Sequence, residues 1–245
     1  MQSDSVENIF ARAWSLLTKN PVIVLPGVVV GLVVGIIQAL ITPHPHVVDA
    51  AGNTDAVAAV ASAGSTVASA AISVVVSVLA FLLTQTYTTG MAGAAWQSGT
   101  TTLADGRASF REDAGRLLAA VLLIAVVGIL AGIITFGLGW LVVLFFAIYV
   151  VPAVVLDNYS AVPAFRLSAA IAMKRALPTI IIIVLLFAIG LVLGLLTLPL
   201  AFIPLLGPVI AAIVSQAITA YATLVIVGEY LNARRAPDVI AAGPR

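Results

Sequence analysis

Long apolar runs separated by short polar borders dominate this chain. By their borders they cover residues 21–42, about 67–97, 117–136, 138–156, 177–199 and about 205–231. The first holds 22 residues without a charge; as a helix it reaches about 33 Å, enough for a hydrocarbon core of about 30 Å. The second run is too long for an upright span. Its small-residue start, 56–73, either stands above the membrane or packs tightly where small side chains allow close approach.

Ahead of the first run the period changes. Val6, Ile9, Phe10, Ala13 and Leu17 fall on one face at helical spacing, with Asn8, Arg12, Ser15 and Lys19 on the other. Residues 4–19 therefore read as an interfacial amphipathic helix, opened by Asp4 and Glu7 with a carboxylate capping free backbone N–H groups. Trp14 suits the headgroup level, and Asn20–Pro21 the turn into the first span.

Composition agrees with the runs. Hydrophobic residues make up 62% and charged residues 9%, against about 25% charge in soluble domains. The expected fold is all-α: a polytopic membrane helix bundle, one transmembrane domain over 1–245 with six transmembrane helices. The first run is too long for a signal-peptide core and reads as a retained helix. The absence of cysteine excludes disulfides and thiolate chemistry. A net charge of +1 argues against a nucleic-acid partner.

The basic residues orient the bundle. Arg12 and Lys19 precede the first span; Arg107, Arg111 and Arg116 lie between the second and third. Arg166, Lys174 and Arg175 lie between the fourth and fifth, and Arg234, Arg235 and Arg245 follow the sixth. All eleven lie on one side of a six-span arrangement, and a five- or seven-span arrangement would scatter them. Basic residues resist translocation, so that side is expected in the cytoplasm, with both termini, and the protein in the inner (cytoplasmic) membrane.

A threefold internal pattern follows. Phe10–Arg12–Lys19 leads into a span carrying Gly31 and Gly35, Phe110–Arg111–Arg116 into one carrying Gly128 and Gly132, and Phe165–Arg166–Lys174–Arg175 into one carrying Gly190 and Gly194. The expectation is three parallel pseudo-repeated hairpins, each preceded by a basic surface segment, with each G-x-x-x-G face admitting a neighbouring helix. Frequent glycine in membrane helices is the competing explanation. The connection at 134–140 is a tight glycine turn, and 198–208, with three prolines, is either a surface hairpin or a re-entrant loop.

Candidate chemistry is sparse. His44 and His46, flanked by prolines, are held in an extended segment that does not converge them on one metal ion. The polar residues within spans are Gln38, Thr84, Gln85, Thr86, Gln97 and Gln216; they either hydrogen-bond between helices or line a polar path or headgroup site. Asp157 and Glu229 sit at cytoplasmic span ends, suited to pairing with nearby arginines. There is no zinc-protease motif, nucleophile elbow, phosphate loop or dinucleotide fingerprint, so no enzymatic activity, metal or cofactor is expected.

Some short motifs carry a resemblance. Phe10-Ala11-Arg12-Ala13-Trp14, Lys19-Asn20-Pro21 and Leu25-Pro26-Gly27 open the chain; Gly90-Met91, Asp105-Gly106 and Ser109-Phe110 follow. Val151-Pro152-Ala153-Val154-Val155-Leu156-Asp157 and Ala164-Phe165-Arg166-Leu167-Ser168 complete the set. Together these resemble bacterial six-span proteins related to the glycerophosphoryl diester phosphodiesterase membrane domain, over nearly the whole chain. The resemblance implies a helical membrane module, sometimes fused to a hydrolase domain for which this chain has no room, and an acidic residue at the position of Asp157. The resulting expectation is a non-enzymatic module that binds lipid or a protein partner, or scaffolds a membrane assembly. Anionic headgroups at the basic surface and a homo-oligomer are its expected partners. The alternative is a channel or transporter for small or apolar solutes.

Overall fold

The computed structural model describes residues 4–41, 56–199 and 206–235, all helical apart from short connections. Helix α1 (Val6–Lys19) starts at Ser5, whose hydroxyl accepts the Asn8 N–H at 3.3 Å, with Glu7 in the first turn. Ser5 therefore caps the helix in place of Asp4, because a short hydroxyl one residue nearer reaches the free N–H groups. The Asp4 N–H instead donates to Asn232 Oδ1 at 3.1 Å. The chain then bends by 91° through a 3-10 turn (Pro21–Val24) into α2 (Leu25–Ile41). Pro21 opens that turn, where its missing N–H leaves no bond unmade. Asn20 fastens the bend: its amide donates to Leu16 O and Gly99 O, and its oxygen accepts from Thr101 N–H.

Helices α3 (Ala56–Ser98) and α4 (Leu103–Ile134) form the longest hairpin. Thr102 caps α4, its N–H donating to Asp105 Oδ2 at 2.8 Å, and this backbone bond holds the Asp105 carboxyl below its ordinary range. The two helices cross closely where Gly106 faces the Tyr87 ring and Gly90 faces Ser109. The basic stretch with Arg107, Arg111 and Arg116, expected ahead of the third span, runs into that span as one helix. It holds no proline, and good helix formers carry it through.

The fourth span, expected over 138–156, runs over Gly139–Asp157, with a two-residue turn dividing it into α5 (Gly139–Ala147) and α6 (Val150–Asp157). Pro152 explains the break. Inside a continuous helix its ring would collide with the carbonyl four residues back, that of Ile148, where α5 has just ended. Asn158 ends α6 in the left-handed region at φ 59°. Gly137, at φ 95°, makes the tight turn before α5.

Helix α7 (Ala161–Lys174) packs on α4, α5 and α6, burying Ala164, Leu167, Ser168 and Ile171 and exposing Arg166 and Lys174. Helices α8 (Ala176–Thr197) and α9 (Leu206–Arg234) close the bundle. α3, α4, α5–α6, α8 and α9 are long and apolar enough to cross a membrane, and the bent α1–α2 unit supplies the sixth. The protein is a multi-pass, all-α membrane bundle.

Buried side chains concentrate at the end that carries the basic residues. There two clusters form: the apolar face of α1 packs with Met91, Ala95 and Trp96 of α3 and Leu224, Val225 and Val227 of α9, while Val150, Ala153 and Val154 of α6 pack with Leu117 of α4, Leu167 and Ile171 of α7, and Tyr230 of α9. Away from that end the same helices bury few side chains, and α8 buries only Thr179 and Ile182. The bundle is thus a tight core at its basic end and looser beyond it, which is where cavities open.

Candidate functional site

The basic end is a network of charges turned inward. Arg175 Nε lies 2.7 Å from Glu229 Oε1, and Glu229 is fully buried. Asn232 donates to Glu229 Oε2 and to the Asp4 carbonyl, so one amide joins α9 to the segment before α1. Asp157 accepts from the Tyr230 hydroxyl and pairs with Arg234, whose guanidinium also lies 6.0 Å from the Tyr230 ring centre. Arg116 bridges Asp113 at 2.9 Å and Asn158. Arg12 donates to the Trp96 carbonyl at 3.1 Å and sits 4.6 Å over its ring. Such pairing is how charge is tolerated at the margin of a bilayer.

Other basic side chains face outward. Arg107, Arg111 and Arg166 are exposed and, among the described residues, make no ion pair. They lie on α4 and α7, two helices packed on each other. Lys19 and Lys174 are also exposed at this end.

The six glycines singled out by spacing meet different surroundings. Gly128 and Gly132 receive the Trp140 ring of the same hairpin, at 2.6 and 2.9 Å from where a Cβ would stand. Gly31 lies 3.7 Å, on the same measure, from the Gln216 amide of α9. Gly35, Gly190 and Gly194 have no heavy atom within 4 Å among the described residues. Close packing also falls on glycines outside the pairs: Gly27 against Gln216, Gly93 against Leu156, and Gly228 against Trp96.

The polar span residues divide as well. Thr84, Gln85 and Gln216 meet in a cavity of about 380 Å³ between α2, α3 and α9, with Ser77 and Thr219. Thr86 does not line it; it is buried and donates to the Leu82 carbonyl of its own helix. Gln97 is exposed at the end of α3. The side chain of Gln38 and residues His44, His46 and Arg245 lie outside the described residues, as does most of the 198–208 loop.

Two further cavities are apolar. The larger, about 730 Å³, is framed by α3, α4, α5–α6, α8 and α9, and every lining side chain is apolar. It reaches from Leu117, the residue after Arg116, to Phe187 on α8. The smaller, about 440 Å³, lies between α8 and α9 beside Trp14, Leu17 and Tyr221. Neither leaves a periodic mark in the chain, because lipid-facing and cavity-facing positions are equally apolar. Phe81 borders both the large cavity and the polar one.

Among the described residues no cluster of three His, Asp or Glu side chains could hold a metal ion. No family model matches the chain, and no curated protein or solved structure shows significant similarity to it.

Proposed function

We propose that this protein is a lipid-binding membrane module that performs no chemistry of its own. The apolar cavity of about 730 Å³ carries the reading. Its volume falls within the range of about 300–1,000 Å³ typical of ligand sites. Its lining offers no hydrogen bond to a polar ligand, so an acyl chain is the occupant it suits. The cavity begins at Leu117, directly beside Arg116, and Arg107, Arg111 and Arg166, which make no ion pair among the described residues, lie on the helices at the same end. An anionic headgroup at that surface with a chain in the cavity satisfies both. The same basic residues support a cytoplasmic position for this end.

Residues of the six-span resemblance support the module reading, since many of them meet at the basic end. Arg12 engages Trp96, Asn20 ties the bend to Gly99 and Thr101, Gly90 seats Ser109, and Asp157 joins Tyr230 to Arg234.

The test is native mass spectrometry of protein released from membranes of mixed phosphatidylglycerol and phosphatidylcholine. Wild-type protein should retain phosphatidylglycerol preferentially. Replacing Arg107, Arg111 and Arg166 with Gln should weaken that retention roughly a hundredfold, at about 1 kcal/mol for each basic residue near the surface. Filling the cavity by Val121→Trp with Val184→Trp should reduce retention of both lipids. Wild-type protein that carries no lipid, or carries both equally whatever the variant, would sink the proposal.

A further inference from the structure

The cavity between α2, α3 and α9 lies on spans whose surroundings are apolar, yet it gathers the carboxamides of Gln85 and Gln216 with the hydroxyls of Ser77, Thr84 and Thr219. Thr219 donates to the Ser215 carbonyl of its own helix at 3.0 Å. Among the described residues, the side chains of Ser77, Thr84, Gln85 and Gln216 make no hydrogen bond. Polar groups left open in a hydrocarbon layer are unfavourable unless something supplies their partners. Room has been kept for them: a Cβ on Gly27 would overlap the Gln216 carboxamide.

From this geometry we infer that the cavity binds a small uncharged group bearing hydroxyl or amide functions. Each carboxamide offers two N–H donors and one acceptor oxygen, and each hydroxyl one donor and an acceptor, so the lining answers a ligand that both gives and takes hydrogen bonds. No ionisable side chain lines it, so a charged ligand would enter without compensation. At about 380 Å³ it suits a small molecule or one headgroup. The group belongs either to a free solute or to a neutral lipid whose chain passes Phe81 into the apolar cavity. The inference does not depend on an anionic lipid occupying that larger cavity.

Two probes separate the sources. Saturation-transfer NMR with acetamide on the purified full-length protein reports a free solute, and native mass spectrometry with hexadecanol, against hexadecane, reports a lipid-borne hydroxyl. Binding in either arm should fall at least tenfold in the Gln85→Leu, Gln216→Leu double variant. That variant should also keep or raise the wild-type Tm, because it removes unpartnered polar groups from an apolar layer. If it fails to fold, Ser77→Ala with Thr84→Val changes the shape less and should weaken the same arm. Binding by acetamide alone identifies a solute site, and by hexadecanol alone a neutral lipid site. Silence in both arms with wild-type protein, or binding that survives both variants, overturns the inference. So would a Tm that falls in the leucine variant without loss of binding, since the carboxamides would then serve packing alone.

Discussion

Trp96 lies across Gly228, its ring filling the space that a Cβ on residue 228 would take, while its indole N–H donates to the Leu224 carbonyl at 2.8 Å. The same indole carries the Arg12 guanidinium, 4.6 Å from its ring centre. One side chain near the end of α3 thus joins α9 to α1, and α1 is held across the bundle by protein contacts as well as by its amphipathic character. Overpacking a filled site of this kind costs about 1–3 kcal/mol, so Gly228→Ala should lower the Tm of the purified protein by several degrees. Gly190→Ala, on the open face of α8, should leave it unchanged or raise it, since alanine favours a helix interior. Equal effects at the two positions would show that the Trp96 contact carries no special weight.

Arg175 and Glu229 form a pair whose loss on one side alone should be severe. Glu229 is fully buried and the Arg175 side chain is 14% exposed. Breaking a buried pair by removing one partner costs about 3–5 kcal/mol, because the other charge stays buried and uncompensated. Arg175→Leu and Glu229→Leu should each greatly lower thermal stability, and the double variant should recover much of the loss. Additive losses in the double-mutant cycle would deny the coupling.

Much of this architecture can be read from the chain, and the gaps have physical causes. Run lengths and the one-sided distribution of Lys and Arg mark the spans because bilayer thickness and charge translocation act on short stretches of sequence. The amphipathic period of residues 6–19 is local in the same sense. The turn at 148–149 within the fourth span escapes such a reading, because the uninterrupted apolar run masks Pro152, whose ring disfavours the helical bond to the Ile148 carbonyl. Long-range partners were not legible. A G-x-x-x-G pair exposes a groove, but nothing nearby says whether Trp140 fills it, as at Gly128 and Gly132, or nothing does, as at Gly190 and Gly194. Equally, Gln85 and Gln216 are separated by more than half the chain, and only the fold brings them to one cavity while leaving Thr86 and Gln97 outside it.

Ser168 repairs the break it faces. Its hydroxyl donates to the Phe146 carbonyl at 2.6 Å and accepts the Tyr149 N–H at 3.0 Å, two groups left over where α5 ends and α6 begins. An alanine there would leave a buried donor and acceptor unmatched, at about 1–3 kcal/mol for each such group. Ser168→Ala should therefore lower the Tm and speed hydrogen exchange at the Tyr149 amide, whereas Ser160→Ala, at an exposed position before α7, should do neither. Unchanged exchange at Tyr149 would mean the break is satisfied some other way.

The orientation of the bundle rests on charge and is open to a direct chemical test. Phe136 is fully exposed at the turn between α4 and α5, and Ala108 is exposed at the basic end of α4. The residues from 108 to 136 include the whole third span, so a cysteine at one site should lie across the membrane from a cysteine at the other. Because the protein has no cysteine of its own, single introduced thiols report without background. In intact cells a membrane-impermeant maleimide should label Phe136→Cys and spare Ala108→Cys, which should react only after permeabilisation. The charge argument allows no other result, since Arg107, Arg111 and Arg116 surround position 108 and the turn at 135–138 carries no basic residue. The opposite labelling pattern would place the exposed arginines outside the cell, and the preference for anionic headgroups of the inner leaflet would fall with it.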